Sequence, residues 1–176
     1  MKETLIDLKE RRSCRAYLDQ QVEKEALDAI LEAGTYAPTG RGRQAPLIVC
    51  VQDKATRDRL SALNAKVGGY TTDPFYGAPT VLVVLSDPEI NTYLYDGVLV
   101  MGNLLNAAHA VGVDSCYIFR AKEVFETEEG KALLREWGIP ERYEGIGNCI
   151  LGYRDPAANG AFRPLLPRKP DYVRYV

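Results

Sequence analysis

Residues 90–111 limit the folds open to this chain more than any other stretch. Leu94, Val98, Leu99, Val100, Met101, Leu104, Leu105 and Ala108 recur at helical spacing, but they cover several faces instead of one stripe. A helix apolar around most of its circumference must be covered on all sides. The chain has 176 residues, which makes one domain able to bury roughly 70% of its unfolded surface. In so small a domain, packing against a second copy of the chain is one way to cover such a helix.

The other periodicities supply partners for it. Amphipathic spacing predicts helices over 3–12, 24–35, 54–66 and 122–137. Pro38 ends the second of these, because proline disfavours helix in the residue before it. Short continuous apolar runs predict buried strands over 47–51 and 80–85, with further strands over 114–119 and 145–153. The last stretch, 154–176, has prolines at 156, 164, 167 and 170 and no period. Its Phe162, Tyr172 and Tyr175 are poor choices for a disordered tail, so it is expected to be an ordered, extended C-terminal arm on a single domain spanning 1–176.

The totals exclude several classes of function. A net charge of -2 leaves no basic excess for counterion release, which argues against nucleic acid as the main partner. No apolar run is long enough to span a bilayer, and the N-terminus opens a charged helix without the apolar core of a signal peptide. The four cysteines, at 14, 50, 116 and 149, form no close pair and no CxxC, so neither a zinc site nor a dithiol motif is expected. Free and mostly buried thiols fit a cytoplasmic protein. His109 is the only histidine and lies among alanines, where packing is the usual role, and a multi-histidine metal site is ruled out.

Two polar stretches stand out. Arg11, Arg12, Ser13 and Arg15 place three guanidinium groups and a hydroxyl within five residues after the first helix. Such a cluster suits a phosphate, and it equally suits a helix end whose macrodipole favours cations. The pentapeptide alone favours the second reading. The other stretch runs from Pro38 through Thr39, Gly40, Gly42 and Gln44 to Pro46, rich in glycine and hydrogen-bond donors. Residues 40–45 match G-x-G-x-x-A, but they follow a helix and open a strand, the reverse of the dinucleotide fingerprint, so a Rossmann fold is rejected.

In combination the segments resemble the FMN-dependent nitroreductase family in its short form, over nearly the whole chain. The resemblance is carried by Arg11-Arg12-Ser13-Cys14-Arg15 for an R-x-S-x-R signature and by Ala37-Pro38-Thr39-Gly40 with Gln44 for an A-P-S-x-x-x-x-Q loop. It continues through Ala78-Pro79, through Asp96 together with the Asn103-Leu104-Leu105-Asn106-Ala107-Ala108 helix as one motif, and through Ser115-Cys116-Tyr117-Ile118 for an S-C-W-I strand. Gly138-Ile139-Pro140, Leu151-Gly152-Tyr153 and Pro167-Arg168-Lys169-Pro170 complete the order. Each motif is weak alone, but eight in sequence are specific. Two departures exist: Gly42 stands where many members have asparagine, and Thr71-Thr72-Asp73-Pro74 lacks the asparagine–lysine pair that some larger members use on the pyrimidine ring.

The resemblance implies an α+β sandwich with a central, mainly antiparallel sheet flanked by helices, in an intertwined homodimer with FMN at the interface. It implies that Arg11, Arg12 and Ser13 face the phosphate and ribityl chain, and that Arg15 reaches the ribityl hydroxyls and the pyrimidine edge. Arg168 would close on the phosphate with Lys169 as helper. Pro38, Thr39 and Gly40 would come from the partner subunit to line the ring, with Gly42 and Gln44 in the same loop. The backbone of Ile118, Phe119 and Arg120 would lie near N5. No residue is then a catalytic acid, base or nucleophile, because the cofactor carries the chemistry. NAD(P)H would reduce FMN and leave before a nitroaromatic, quinone or other flat acceptor enters the same space. Within the family, dehalogenation, ene reduction or flavin breakdown are alternatives. Outside enzymology, a flavin carrier or sensor without turnover is another.

Overall fold

The computed structural model describes residues 2–158 and 165–176. Phe162 and Pro164, assigned above to the arm, lie outside the described residues. The elements are α1 (Glu3–Glu10), α2 (Lys24–Thr35), β1 (Pro46–Val51), α3 (Lys54–Gly68), β2 (Thr80–Ser86), α4 (Tyr93–Ala110), β3 (Asp114–Ile118), α5 (Ala121–Glu126), α6 (Glu128–Glu136) and β4 (Glu144–Gly152). The four strands form one sheet in the order β1-β2-β4-β3, and every neighbouring pair is antiparallel.

β2 explains why the sheet sits in the middle. All seven of its residues are buried, so it reads as an apolar run with no polar alternation. Val81, Val83 and Leu85 point to one layer, where they meet Leu60 and Leu63 of α3, Phe75, Val124 and Phe125 of α5, and Leu133 and Leu134 of α6. Leu82 and Val84 point to the other, against Leu27 and Ile30 of α2 and Val100, Met101, Leu104 and Ala108 of α4. Full burial of such side chains stabilises by about 1.5–3 kcal/mol each, so β2 ties two cores to one strand. The approach of α2 to α4 depends on Gly34, where a Cβ would stand 2.6 Å from Leu104 and 2.9 Å from Ile48.

The last predicted helix differs from the sequence expectation. The predicted helix over 122–137 is two helices that meet at Thr127, whose backbone is extended (φ -76°, ψ 158°). Its hydroxyl accepts from the Gly130 N–H at 3.0 Å and donates to the Val124 carbonyl at 2.6 Å, closing α5 and capping α6 together. The apolar period runs through the break, so periodicity alone missed it. α4 is not covered on all sides within one chain. Gly97, Val100, Met101, Leu104 and Ala108 are buried, whereas Leu94, Tyr95, Val98 and Leu99 are exposed, with Tyr95 71% and Val98 56% accessible.

The C-terminal stretch begins as a paired strand-like segment: Tyr17 and Arg154 form an antiparallel bridge, and the Asp155 N–H donates to the Ala16 carbonyl at 3.1 Å. Beyond the undescribed residues, 165–176 are exposed and hold one turn, from the Tyr172 N–H to the Lys169 carbonyl.

Candidate functional site

α1 ends at Glu10 because Arg11 turns extended (φ -51°, ψ 134°), and the following residues run beside the sheet. Ser13 pairs in parallel with Ser115 of β3, and the Cys14 N–H donates to the Ser115 carbonyl at 3.0 Å. That pairing holds the arginine segment against the edge strand. Alternation then turns Cys14 inward: it is fully buried, and its Sγ donates to the Ala16 carbonyl. Burial pushes the Cys14 thiol above its ordinary range. The same force raises Cys116, against a hydrogen bond from Ser13 and the charges of Arg15 and Arg11.

Arg11, Arg12, Ser13 and Arg15 line a cavity of about 210 Å³ together with Leu165, Leu166 and Arg168. The tail thus delivers Arg168 to the cluster from the far end of the chain. Four guanidinium groups share this lining with no carboxylate. Like charges so close disfavour one another unless an anion joins them. The buried Nη1 of Arg11 has no hydrogen-bond partner among the described residues. Arg12 divides its role, since its Nη1 donates to the carbonyls of Lys9 and Arg11 at 2.6 and 2.8 Å and so also serves the end of α1. Lys169 does not line the cavity. Its ammonium sits 5.6 Å from the centre of the Tyr172 ring.

A second cavity, of about 220 Å³, is lined by Arg15, Asn64, Tyr70, residues 72–74, Tyr76 and residues 116–120. Arg15 lines both, so the two meet at its side chain. Ile118, Phe119 and Arg120 stand here, where β3 turns into α5. Arg120 has a left-handed backbone (φ 77°) and its guanidinium lies 5.6 Å from the Phe119 ring. Across from it, the 70–77 loop is built around Asp73. That carboxylate accepts from the N–H groups of Phe75 and Gly77 at 2.8 Å, from Ser61 and from the buried Arg57. Burial would raise its pKa, but Arg57, Ser61 and the two amides together hold it below the usual carboxylate value.

The loop carrying Pro38, Thr39, Gly40, Gly42 and Gln44 lies elsewhere in the chain. Thr39 and Gln44 line a third cavity, of about 470 Å³, with apolar residues of α2, β1 and α4 that include Leu31, Ile48 and Val100. The Gly40 N–H donates to Asp96 Oδ1 at 3.0 Å, and Thr92 donates to Asp96 Oδ2 at 2.9 Å. A Cβ on Gly40 would stand 2.3 Å from the Thr92 hydroxyl, so only glycine fits this clamp. Within one chain, the structure does not bring this loop to the arginine cluster.

Backbone strain marks both places. The non-glycine residues with positive φ among the described residues are Arg41, Gln44, Tyr76 and Arg120, two in the 38–46 loop and two on the second cavity. Each costs about 1–2 kcal/mol, a cost met elsewhere in the fold. The sequence reading missed Asn64, Tyr70 and Tyr76 as cavity residues. One signal was available: Arg57, Ser61 and Asn64 place polar groups at helical spacing on the buried stripe of α3, where apolar residues belong. No group of three or more potential metal ligands occurs among the described residues.

A sequence profile described as the nitroreductase family matches residues 8–68. A relative from Archaeoglobus fulgidus, named for NADH dehydrogenase and NAD(P)H nitroreductase, is 31% identical over 159 residues, covering 87% of this chain and 86% of its own. The FMN reductase [NAD(P)H] of Bacillus subtilis is 38% identical, with 96% of this chain and 72% of that protein aligned. The crystal structure of a nitroreductase with bound FMN from Bacteroides fragilis superposes with a TM-score of 0.88 over all of both chains, at 28% identity.

Proposed function

From the premise that this chain belongs to the nitroreductase family, we propose that it is an FMN-dependent oxidoreductase that takes electrons from NAD(P)H and passes them to a nitroaromatic, quinone or related flat acceptor. The observation that carries this reading is the cavity in which Arg11, Arg12, Arg15 and Arg168 converge around Ser13 without a carboxylate. Its chemistry matches the phosphate of FMN, and Arg15, which also lines the second cavity, directs the flat ring there. When bound, the flavin supplies the hydride and electron transfer.

The roles of the chain's own groups follow from their placement. Arg11 and Arg168 bind the phosphate, and Ser13 donates to it at close range. Arg12 helps while it closes α1. Arg15 sets a fixed positive charge beside the ribityl chain and pyrimidine ring, which favours the anionic reduced form. The backbone of Ile118, Phe119 and Arg120 lines the ring's reactive side. Lys169 helps Arg168 from the arm. Pro38, Thr39, Gly40, Gly42 and Gln44 serve a flavin bound by the other subunit of a homodimer, since their own cluster is out of reach. The protein works as one domain with 154–176 as its arm, in the cytoplasm, where its free cysteines remain reduced.

The test is the visible spectrum of the purified protein before and after anaerobic NAD(P)H. Oxidised-flavin bands that bleach with NAD(P)H and return with a quinone or nitro compound are expected. Bands that persist unbleached would favour a carrier, and a colourless protein that takes up no FMN would end the proposal.

A further inference from the structure

Arg57, Arg59, Arg120, Arg135 and Arg142 each pair with a carboxylate. Arg41 and Arg43 do not. Both are exposed, and the side chain of neither makes a hydrogen bond or ion pair with another described residue. The turn that carries them is nevertheless fixed. The Gly40 N–H donates to the carboxylate of Asp96, itself only 3% exposed, so the anchor is buried in α4. The Gly42 N–H donates to the Thr39 carbonyl at 3.0 Å, the Arg43 N–H to the Gly40 carbonyl at 3.2 Å and the Gln44 N–H to the Thr39 hydroxyl at 3.1 Å. Arg41 is held left-handed (φ 56°), a conformation that persists in a residue with a side chain only where its surroundings enforce it. Gly42 follows at φ 66°, and a Cβ there would meet nothing within 4 Å, so the tip of the turn between the two arginines is open.

A rigid turn that presents two guanidinium groups without a counter-charge suits a ligand with more than one negative charge. The phosphate of FMN already has Arg11 and Arg168. A nicotinamide dinucleotide is the other multiply charged participant: its ring must lie on the flavin, and its phosphates then extend outward to the rim of the site. We infer that Arg41 and Arg43 hold the phosphate groups of the NAD(P)H that reduces the neighbouring subunit's flavin, so that this turn serves the electron donor and not an uncharged acceptor. This rests on the flavin reading and on the loop's service to the other subunit, and deepens both. It assigns a role to two residues outside the motifs that carry the family resemblance. Their charge also raises the encounter rate of an anionic donor, an effect that salt screens.

The test measures the two half-reactions of the FMN-loaded protein separately by stopped flow. Bound flavin is reduced with NADPH, with NADH or with 1-benzyl-1,4-dihydronicotinamide, a hydride donor that carries no phosphate, and is then reoxidised by an uncharged quinone. In the double variant Arg41→Gln, Arg43→Gln, the second-order rate of reduction by the dinucleotides should fall roughly tenfold or more. Reduction by the benzyl donor and reoxidation by the quinone should match wild type. Added salt should slow wild type with the dinucleotides and affect the variant much less. Arg41→Lys, Arg43→Lys keeps the charge and should recover most of the loss. A fall with NADPH alone assigns the turn to the 2′-phosphate, and an equal fall with NADH assigns it to the diphosphate. Unchanged rates with both dinucleotides would overturn the inference. So would equal slowing with the benzyl donor, because the turn would then act through its shape and not its charge. Wild type that holds no flavin, or whose flavin no donor reduces, would instead remove the flavin reading, and a monomer with stoichiometric FMN would remove the shared site.

Discussion

Arg168 reaches the arginine cluster from the far end of the chain, and its contribution can be isolated. Contacts between a charged donor and a phosphate are worth roughly 1.5–3 kcal/mol, so Arg168→Ala should weaken FMN by about ten- to hundredfold. Its exposure on the tail means the fold should not suffer, and melting without FMN should be unchanged. Titration of FMN into the variant checks this, and an unchanged affinity would take Arg168 out of the site. Cys14 makes the opposite case. It sits inside the signature, but its thiol is buried, raised in pKa and turned to the Ala16 carbonyl, away from the cavity its neighbours line. Cys14→Ser should therefore keep its flavin content and activity, as flavin absorbance and NAD(P)H consumption would show. Loss of activity at full flavin content would contradict that.

The 70–77 loop forms one wall of the ring cavity, and Asp73 holds its shape through four donors. The carboxyl's pKa is lowered in the folded protein, so its stabilisation is complete above the unfolded value of about 4. It is lost as pH falls through the lower folded value. The amides of Phe75 and Gly77 should thus lose hydrogen-exchange protection on acidification below the usual carboxylate range. In Asp73→Asn, protection should be lower at neutral pH and insensitive to acid, because no group there titrates. Equal pH dependence in both proteins would show that the loop is held by something else. The break between α5 and α6 has a similar local cause, a threonine whose hydroxyl serves two helices, but it titrates with nothing.

For the molecule as a whole, the exposed face of α4 bears most on assembly. Leu94, Tyr95, Val98 and Leu99 form an apolar surface beside the Gly40 loop, and Asp96 of the same turns holds that loop in place. Covering this face with a second copy would bring each loop towards the other subunit's flavin, and cofactor binding and dimerisation would then be linked. Wild type should sediment as a dimer at low micromolar concentration, with an interface well above about 1,000 Å². Val98→Glu would place a charge in that interface and should give monomers that bind FMN poorly. A wild-type monomer with stoichiometric FMN would defeat the two-subunit site.

Much of this protein could be read from local pattern. Strands β1 to β4, helices α2 and α3 and the arginine segment follow from runs of apolar side chains, turn residues and charge, which are properties of neighbours in the chain. Proximity without sequence adjacency could not be read in this way. The period over 122–137 continues across Thr127, because a hydroxyl bonding in both directions leaves no mark in hydropathy. The apolar circumference of α4 signalled burial, but the packing on the sheet chose which face stays open. Asn64 looked like one more polar residue on a helix until folding placed it in the lining of a cavity that Arg15 and Arg120 also line. A binding site is a convergence of groups from distant segments, and that convergence arises only when the chain closes on its core.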